Sequence, residues 1–227
     1  MFINKVTLFS HLVDELKKFY IENLGFRLVE SNSGGFEIKV GESLLEFKQT
    51  QSTTKPLYHF AFMIPVNKFE EAKKWAKQKV LLSEEDNEDE ISFAYSNAQS
   101  FYFIDPSGNI VEFICRKLIS PSSERLGFSV EDLVKISEIN LTTNEVISVG
   151  RKIREFGIPV RNNESLLEDS LNFLGEKEGG CFILLGPPKR RWIFSSQDSE
   201  IHPLIIEIDK LKRIKLDDKG IIRLSYE

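Results

Sequence analysis

Cysteine is scarce in this chain. Two residues, Cys115 and Cys181, among 227 cannot build the disulfide framework that staples small secreted domains. Both sit in apolar strand-like runs, "VEFICR" and "CFILLG", where a reduced thiol packs as a small hydrophobe. Long apolar runs are also missing: no stretch approaches the ~20 residues of a membrane span, and the first twenty residues lack the basic start, apolar centre and small-residue cleavage site of a secretory leader. Positive charge is not in excess. Lys and Arg number 30 against 35 Asp and Glu, a net charge of -5, which argues against a nucleic-acid surface. The one basic cluster, "KRRW" at Lys189 to Trp192, reads as a solvated loop. The expectation is a cytoplasmic protein with neither nucleic acid nor membrane as a partner.

What is present is an ordinary globular composition, 41% hydrophobic and 29% charged, and a repeat. "INKVTLF" alternates as a half-buried strand does. Leu12, Leu16, Phe19, Tyr20 and Leu24 follow at helical spacing, and Gly25 supplies a residue able to end the helix in a left-handed turn. "FRLVE", "GFEIKV" and "LLEFKQ" are then three strands separated by turns. The same β-α-β-β-β order returns in "YHFAFMI", the amphipathic "NKFEEAKKWAKQ" with Asn67 as N-cap, "ISFAY", "SFYFI" and "IVEFICR". Asp105-Pro106-Ser107-Gly108 has the residue order of a type I turn.

A linker over 118–135, rich in serine and charge, precedes a third copy. It comprises "SEINLTT", a helix carrying Val146, Val149, Ile153 and Phe156, the helix end "EFGIPV" that matches "NLGFRL", and a hairpin in "LNFLGEKEGGCFILLG". The tail, "HPLIIEID" and "KGIIRLSYE", reads as two strands of a shortened fourth copy. A period of roughly fifty residues predicts modules that must pair to cover their sheets. The fold class is therefore α+β, with paired β-α-β-β-β modules. The expected division is 1–117 for two modules, 118–135 for the linker and 136–227 for a degenerate second pair.

The paired modules, the "LGF" helix end, the strand opening on His in "YHFAFMI" and the "DPSGNIVEF" segment together resemble the vicinal oxygen chelate superfamily. That group includes glyoxalase I, extradiol dioxygenases and bleomycin-resistance proteins. The resemblance implies cup-shaped mixed sheets with helices outside and a divalent metal inside, its ligands drawn from the first and last strands of each module. Carried over by position, these are Glu46, His59 and Glu112, with Lys5 at the remaining place. Strand alternation agrees: if Phe60 and Phe62 face the helices, His59 faces the cup, and Glu112 and Glu46 do likewise between their apolar neighbours.

One imidazole and two carboxylates suit Mn, Fe, Ni or Zn. Such an ion would act as a Lewis acid on adjacent substrate oxygens, with Glu46 or Glu112 exchanging into a catalytic proton-transfer role. The expected function is a metal-dependent enzyme of the glyoxalase-like lyase or dioxygenase-like type acting on a small molecule with vicinal oxygens. The alternative is a non-catalytic drug- or metabolite-binding protein of the bleomycin-resistance type, with Lys5 in place of the metal. His11 is expected at the surface and His202 in a structural role. Glu138 holds the first-strand position of the third copy, but "CFILLG" has no carboxylate and Arg223 stands in the fourth copy's last strand, so no metal set is expected there. Arg191 and Trp192 are expected to lend a mouth for an anionic or aromatic small-molecule ligand. Homodimerisation is left open.

Overall fold

The computed structural model describes residues 1–226. The first module contains β1 (Ile3–Ser10), α1 (Val13–Lys17), which runs on through a wider π-type turn to Asn23, and β2 (Leu28–Asn32), β3 (Gly35–Val40) and β4 (Ser43–Gln49). The second has β5 (His59–Met63), α2 (Phe69–Lys77), β6 (Ile91–Phe93), β7 (Ala98–Ile104) and β8 (Ile110–Arg116). The third has β9 (Lys135–Thr142), α3 (Val146–Glu155), β10 (Asn172–Leu174) and β11 (Phe182–Gly186). The tail forms β12 (Leu204–Ile208), β13 (Lys212–Leu216) and β14 (Ile222–Tyr226), with no helix.

Each helix owes its place to one apolar face. Val13, Leu16 and Tyr20 are buried in the first, Phe69, Ala72 and Ala76 in the second, and Val146, Val149 and Ile153 in the third, the three- and four-residue spacing of an amphipathic helix. Gly25 and Gly157 close the first and third helices at φ +83° and +84°, a left-handed conformation that costs glycine little. Asn67 is not an N-cap: it exchanges side-chain hydrogen bonds with the backbone of Ser123, and Lys68 stands at the cap position with no side-chain cap bond.

The strands form two seven-stranded mixed sheets, ordered β14-β13-β12-β1-β4-β3-β2 and β10-β11-β9-β5-β8-β7-β6. The α+β architecture of β-α-β-β-β modules is as expected, but the pairing of modules is not. The two modules of residues 1–117 lie in different sheets, and each is completed by strands from residue 135 onward. The reason lies in the strand edges. Every module's first strand pairs in parallel with its own last strand, β1 with β4, β5 with β8 and β9 with β11, leaving one edge with unpaired backbone groups. β5 satisfies that edge against β9 and β1 satisfies it against β12, both antiparallel.

One core runs through both sheets. Phe60, Phe62, Phe113 and Leu16 are fully buried in it, and Phe19 and Trp75 pack on it partly exposed. The segment 118–135 is tied into this body: Val134 donates to Met63 and accepts from Glu42, both at 2.8 Å, so it bridges the two sheets. Gly41, at φ +55°, lies so close that a Cβ would fall 2.1 Å from the Val134 carbonyl oxygen. β13, "KRIKL", was not anticipated from the sequence. Its charge alternation is that of a strand with one buried face, Ile214 and Leu216 inside.

The Asp105 turn also joins modules. Gly108 N–H donates to the Asp105 carbonyl at 2.9 Å, closing the expected turn. The Asp105 carboxylate is buried and accepts from the backbone of Ser107 and Asn109, from the Asn109 side chain and from the Tyr20 hydroxyl on the first module's helical segment.

Candidate active site

The floor of the second sheet brings three ionisable residues together. Ala61 of β5 is the register partner of Glu112 on β8 and of Glu138 on β9, so the two carboxylates flank a methyl group, and His59 lies two residues away on the same face. His59 Nε2 is 3.3 Å from Glu112 Oε2 and 3.9 Å from Glu138 Oε2. One ligand atom from each of the three can be chosen so that all lie within 4.8 Å of one another. All three residues are buried. Their neighbours Phe60 and Phe62 project to the opposite face and into the core, as strand alternation requires.

The electrostatics make this a site of high tension. Burial works to lower the His59 pKa, yet hydrogen bonds and charge from Glu112 and Glu138 raise it to about 9. Burial works to raise Glu138, but the Arg116 guanidinium and His59 hold it below the usual carboxylate range. Arg116 is hydrogen-bonded directly to Glu138, reaches Ser137 Oγ at 3.2 Å and lies 5.0 Å over the ring of Phe182. Burial, with the charges of Glu112 and Glu138, pushes the Tyr102 hydroxyl well above its ordinary range.

The donor set fits a divalent ion. His59 Nδ1 sits 3.1 Å from the Ile110 carbonyl, so the neutral ring donates there and turns the Nε2 lone pair toward the carboxylates. This is the outer bond that commonly fixes a ligating imidazole. Glu112 and Glu138 add hard oxygen donors appropriate to Mn, Fe, Ni or Zn.

A cavity of about 270 Å³ rises from this floor, walled by Phe93, Tyr95, Tyr102, Ile114, Arg161, Leu171, Phe173, Leu184, Arg190 and Trp192. Part of the wall is a strap over 187–200, folded back on itself by hydrogen bonds between Arg190 and Ser199 and between Trp192 and Gln197. Glu85 anchors the strap by bonding the Arg191 side chain and the Phe194 N–H. Trp192 lies against His59, ring centroids 4.6 Å apart, and shields the imidazole from water.

The sequence-derived candidates are thus divided. His59, Glu112 and Trp192 meet in the cavity. Glu46 does not join them: it lies in the other sheet, where Thr7 donates to it at 2.7 Å and Lys5 and Lys48 each stand at 3.3 Å. Lys5 is 2.5 Å from Glu37 and bridges it to Glu46, so it neutralises carboxylates of its own sheet and offers no charge to His59. The reason is the module pairing, which sends β1 and β4 to the sheet opposite β5. Arg191 turns away from the cavity to Glu85 and its neighbour Arg190 faces in. The expectation that Glu138 has no partner ligands is corrected, because β9 lies beside β5 and brings it to His59. Alternation along "SEINLTT" could have placed Glu138 on a concave face, but only the strand pairing supplies its partners. The last strand of the third module contributes apolar Leu184 to the wall, in keeping with the absence of a carboxylate there. His11 is exposed, as expected, near the Thr54 carbonyl, and His202 is buried beside Tyr58 and bonded to Glu200.

Residues 2–113 match the Glyoxalase/Bleomycin resistance protein/Dioxygenase superfamily. Residues 136–190 match the family of the toxoflavin-degrading enzyme. Among solved structures, the "putative dioxygenase from Bacillus subtilis subsp. subtilis str. 168" aligns over 100% of this chain and 84% of its own, with TM-score 0.60 and 13% identity, a likeness of fold. Lactoylglutathione lyase from Agrobacterium tumefaciens aligns over 51% of this chain and 94% of its own at 20% identity and TM-score 0.43. A glyoxalase/bleomycin resistance protein/dioxygenase from Nocardioides aligns over 56% and 90% at 15% identity and TM-score 0.41. No curated protein matches the chain. Among the described residues, no helix is long and apolar enough to cross a membrane.

Proposed function

We propose that this protein is a metal-dependent enzyme of the glyoxalase or dioxygenase type, acting on a small molecule with adjacent oxygen atoms in the cup built by the second and third modules. His59, Glu112 and Glu138 would hold the ion, Mn, Fe, Ni or Zn. The observation that carries the reading is the convergence of these three side chains, from three adjacent strands, at the floor of one cavity. A bound divalent ion supplies Lewis-acid binding of adjacent oxygens and stabilisation of the anion that develops on them.

The chain's own groups supply the rest. Arg116 keeps Glu138 ionised and oriented. The Ile110 carbonyl holds the His59 ring in the tautomer that presents Nε2. Trp192 and the aromatic wall exclude water, which strengthens every charge interaction on the floor. Glu112, beside the Tyr102 hydroxyl, is the group suited to take or return a proton at the substrate.

A second reading has its own support. Arg116 on Glu138, together with a protonated His59, offsets both carboxylates without an ion, which would leave a small-molecule binding pocket of the bleomycin-resistance type. In this form the compensating cation is Arg116 and not Lys5. Metal analysis of protein purified without chelators separates the two: a stoichiometric divalent ion lost in His59→Ala is expected for the enzyme. A parent protein that neither contains nor takes up Mn, Fe, Ni or Zn would leave only the binding reading.

A further inference from the structure

The cavity wall carries three arginines, and two of them are spoken for. Arg116 is paired with Glu138, and Arg161 lies 3.2 Å from Glu164. Arg190 makes no ion pair among the described residues. Its Nη1 donates to the Arg191 carbonyl at 3.2 Å, while Nε and Nη2 are buried and have no hydrogen-bond partner.

An unmet buried donor is costly, and more so on a charged group. The position is nevertheless held in place: Arg190 is hydrogen-bonded through its backbone N–H and carbonyl to Ser199, and its guanidinium lies 4.1 Å over the Trp192 ring. The backbone is therefore fixed and the cation rests on an aromatic base, with the Nε and Nη2 edge itself covered until the side chain turns to meet a ligand. Nε and Nη2 form one edge of the guanidinium, the fork that accepts both oxygens of a single carboxylate. Burial pushes the Arg190 pKa down, as a desolvated cation without a counter-ion requires. Trp192 touches both Arg190 and His59, and Arg190 lines the same cavity as the three-residue floor. Phe93, Ile114, Leu171, Phe173 and Leu184 line the cavity alongside, a surface for an apolar, conjugated body.

We propose that Arg190 is the specificity-determining residue of this cavity and receives a carboxylate of the substrate through Nε and Nη2. The substrate class is then an aromatic or conjugated carboxylic acid that carries its adjacent oxygens elsewhere on the same body. The assignment of those adjacent oxygens to the floor rests on the function proposed above, whereas the carboxylate subsite does not require a metal.

Two pairs of probes test it by calorimetric titration of the parent protein and of the Arg190→Gln and Arg190→Lys variants. The pairs are 2,3-dihydroxybenzoate with catechol, and benzoate with benzyl alcohol, each differing in the carboxylate. Each acid is expected to bind the parent at least about tenfold more tightly than its uncharged partner, a difference of about 1.4 kcal/mol. Arg190→Gln should abolish that preference while leaving catechol affinity and metal content unchanged, which also shows that the variant folds. Arg190→Lys should retain part of the preference, since an ammonium keeps the charge and loses the fork. Equal binding within both pairs by the parent, or a preference that survives Arg190→Gln, overturns the assignment. If the protein holds no metal but benzoate is still preferred through Arg190, the enzyme reading fails and the carboxylate subsite stands. If metal is bound and no acid is preferred, the subsite alone fails.

Discussion

His59 Nε2 stands 3.9 Å from the carboxylate of Glu138, across the seam where the second module's first strand meets the third module's first strand. This contact between modules defines the candidate centre, and it yields a sharp separation of variants. His59→Ala, Glu112→Ala and Glu138→Ala should each lower affinity for a divalent ion by at least ~100-fold, the upper end of what loss of even an outer-shell partner costs. Glu46→Ala and Lys5→His should leave metal content unchanged, because both residues belong to the other sheet. Metal stoichiometry measured by atomic emission on the five variants checks this. Loss of metal in the Glu46 variant would move the centre.

On the proposed function, a proton and a divalent ion would compete for His59. Its pKa, raised to about 9 in the folded protein, exceeds the ordinary value near 6.5, so the native metal-free state holds this proton more tightly than the unfolded chain does. The resulting stabilisation, on the order of 3 kcal/mol, is fully present below about pH 6.5 and is lost as pH rises through about 9. Binding a metal must release the same proton, so apparent affinity should rise about tenfold per pH unit over that window and level off above it. Metal titrations across that pH range, together with denaturant melts of the metal-free protein, read both trends. A flat affinity profile would contradict the protonated His59.

Arg116 and Glu138 form a buried pair, and breaking one side of it should be costly. Arg116→Met should destabilise the metal-free protein by about 3–5 kcal/mol, because it leaves an uncompensated carboxylate in the interior. Adding Glu138→Gln should recover a substantial part of that loss. Urea unfolding of the two single variants and the double variant gives the coupling directly, and strictly additive effects would show that the pair is not energetically linked.

Asp105 is predicted to serve the fold and not the chemistry. Asp105→Ala removes the acceptor for the Tyr20 hydroxyl, the Asn109 side chain and two backbone N–H groups, so a loss of about 3 kcal/mol or more is expected from the buried donors left behind. Metal content and binding of the carboxylate probes should be unaffected once the variant is folded. The midpoint of thermal unfolding and the metal assay together test this separation.

Much of this structure was legible residue by residue. Alternation in "YHFAFMI" and "IVEFICR" sends Phe60, Phe62 and Phe113 to the core and His59 and Glu112 to the other face, because side chains on a strand change side at every step. Glycine after an amphipathic run marked two helix ends, and Asp-Pro-Ser-Gly marked the turn before β8. These are local consequences of backbone geometry and can be read without knowing what lies alongside. What the tertiary structure decided was partnership. A strand's free edge carries the same N–H and C=O groups whichever strand meets it, so nothing in "INKVTLF" or "YHFAFMI" says that β1 will take β12 and β5 will take β9. That choice sends Glu46 and Lys5 to the far sheet and brings Glu138 to His59. In the same way, "KRRW" shows three cations in a row, but which one faces the cavity depends on Glu85, about a hundred residues away, capturing Arg191 and leaving Arg190 turned inward. Local pattern determines which face a residue occupies. Pairing between distant segments determines what it meets there, because that energy resides in contacts that no single segment contains.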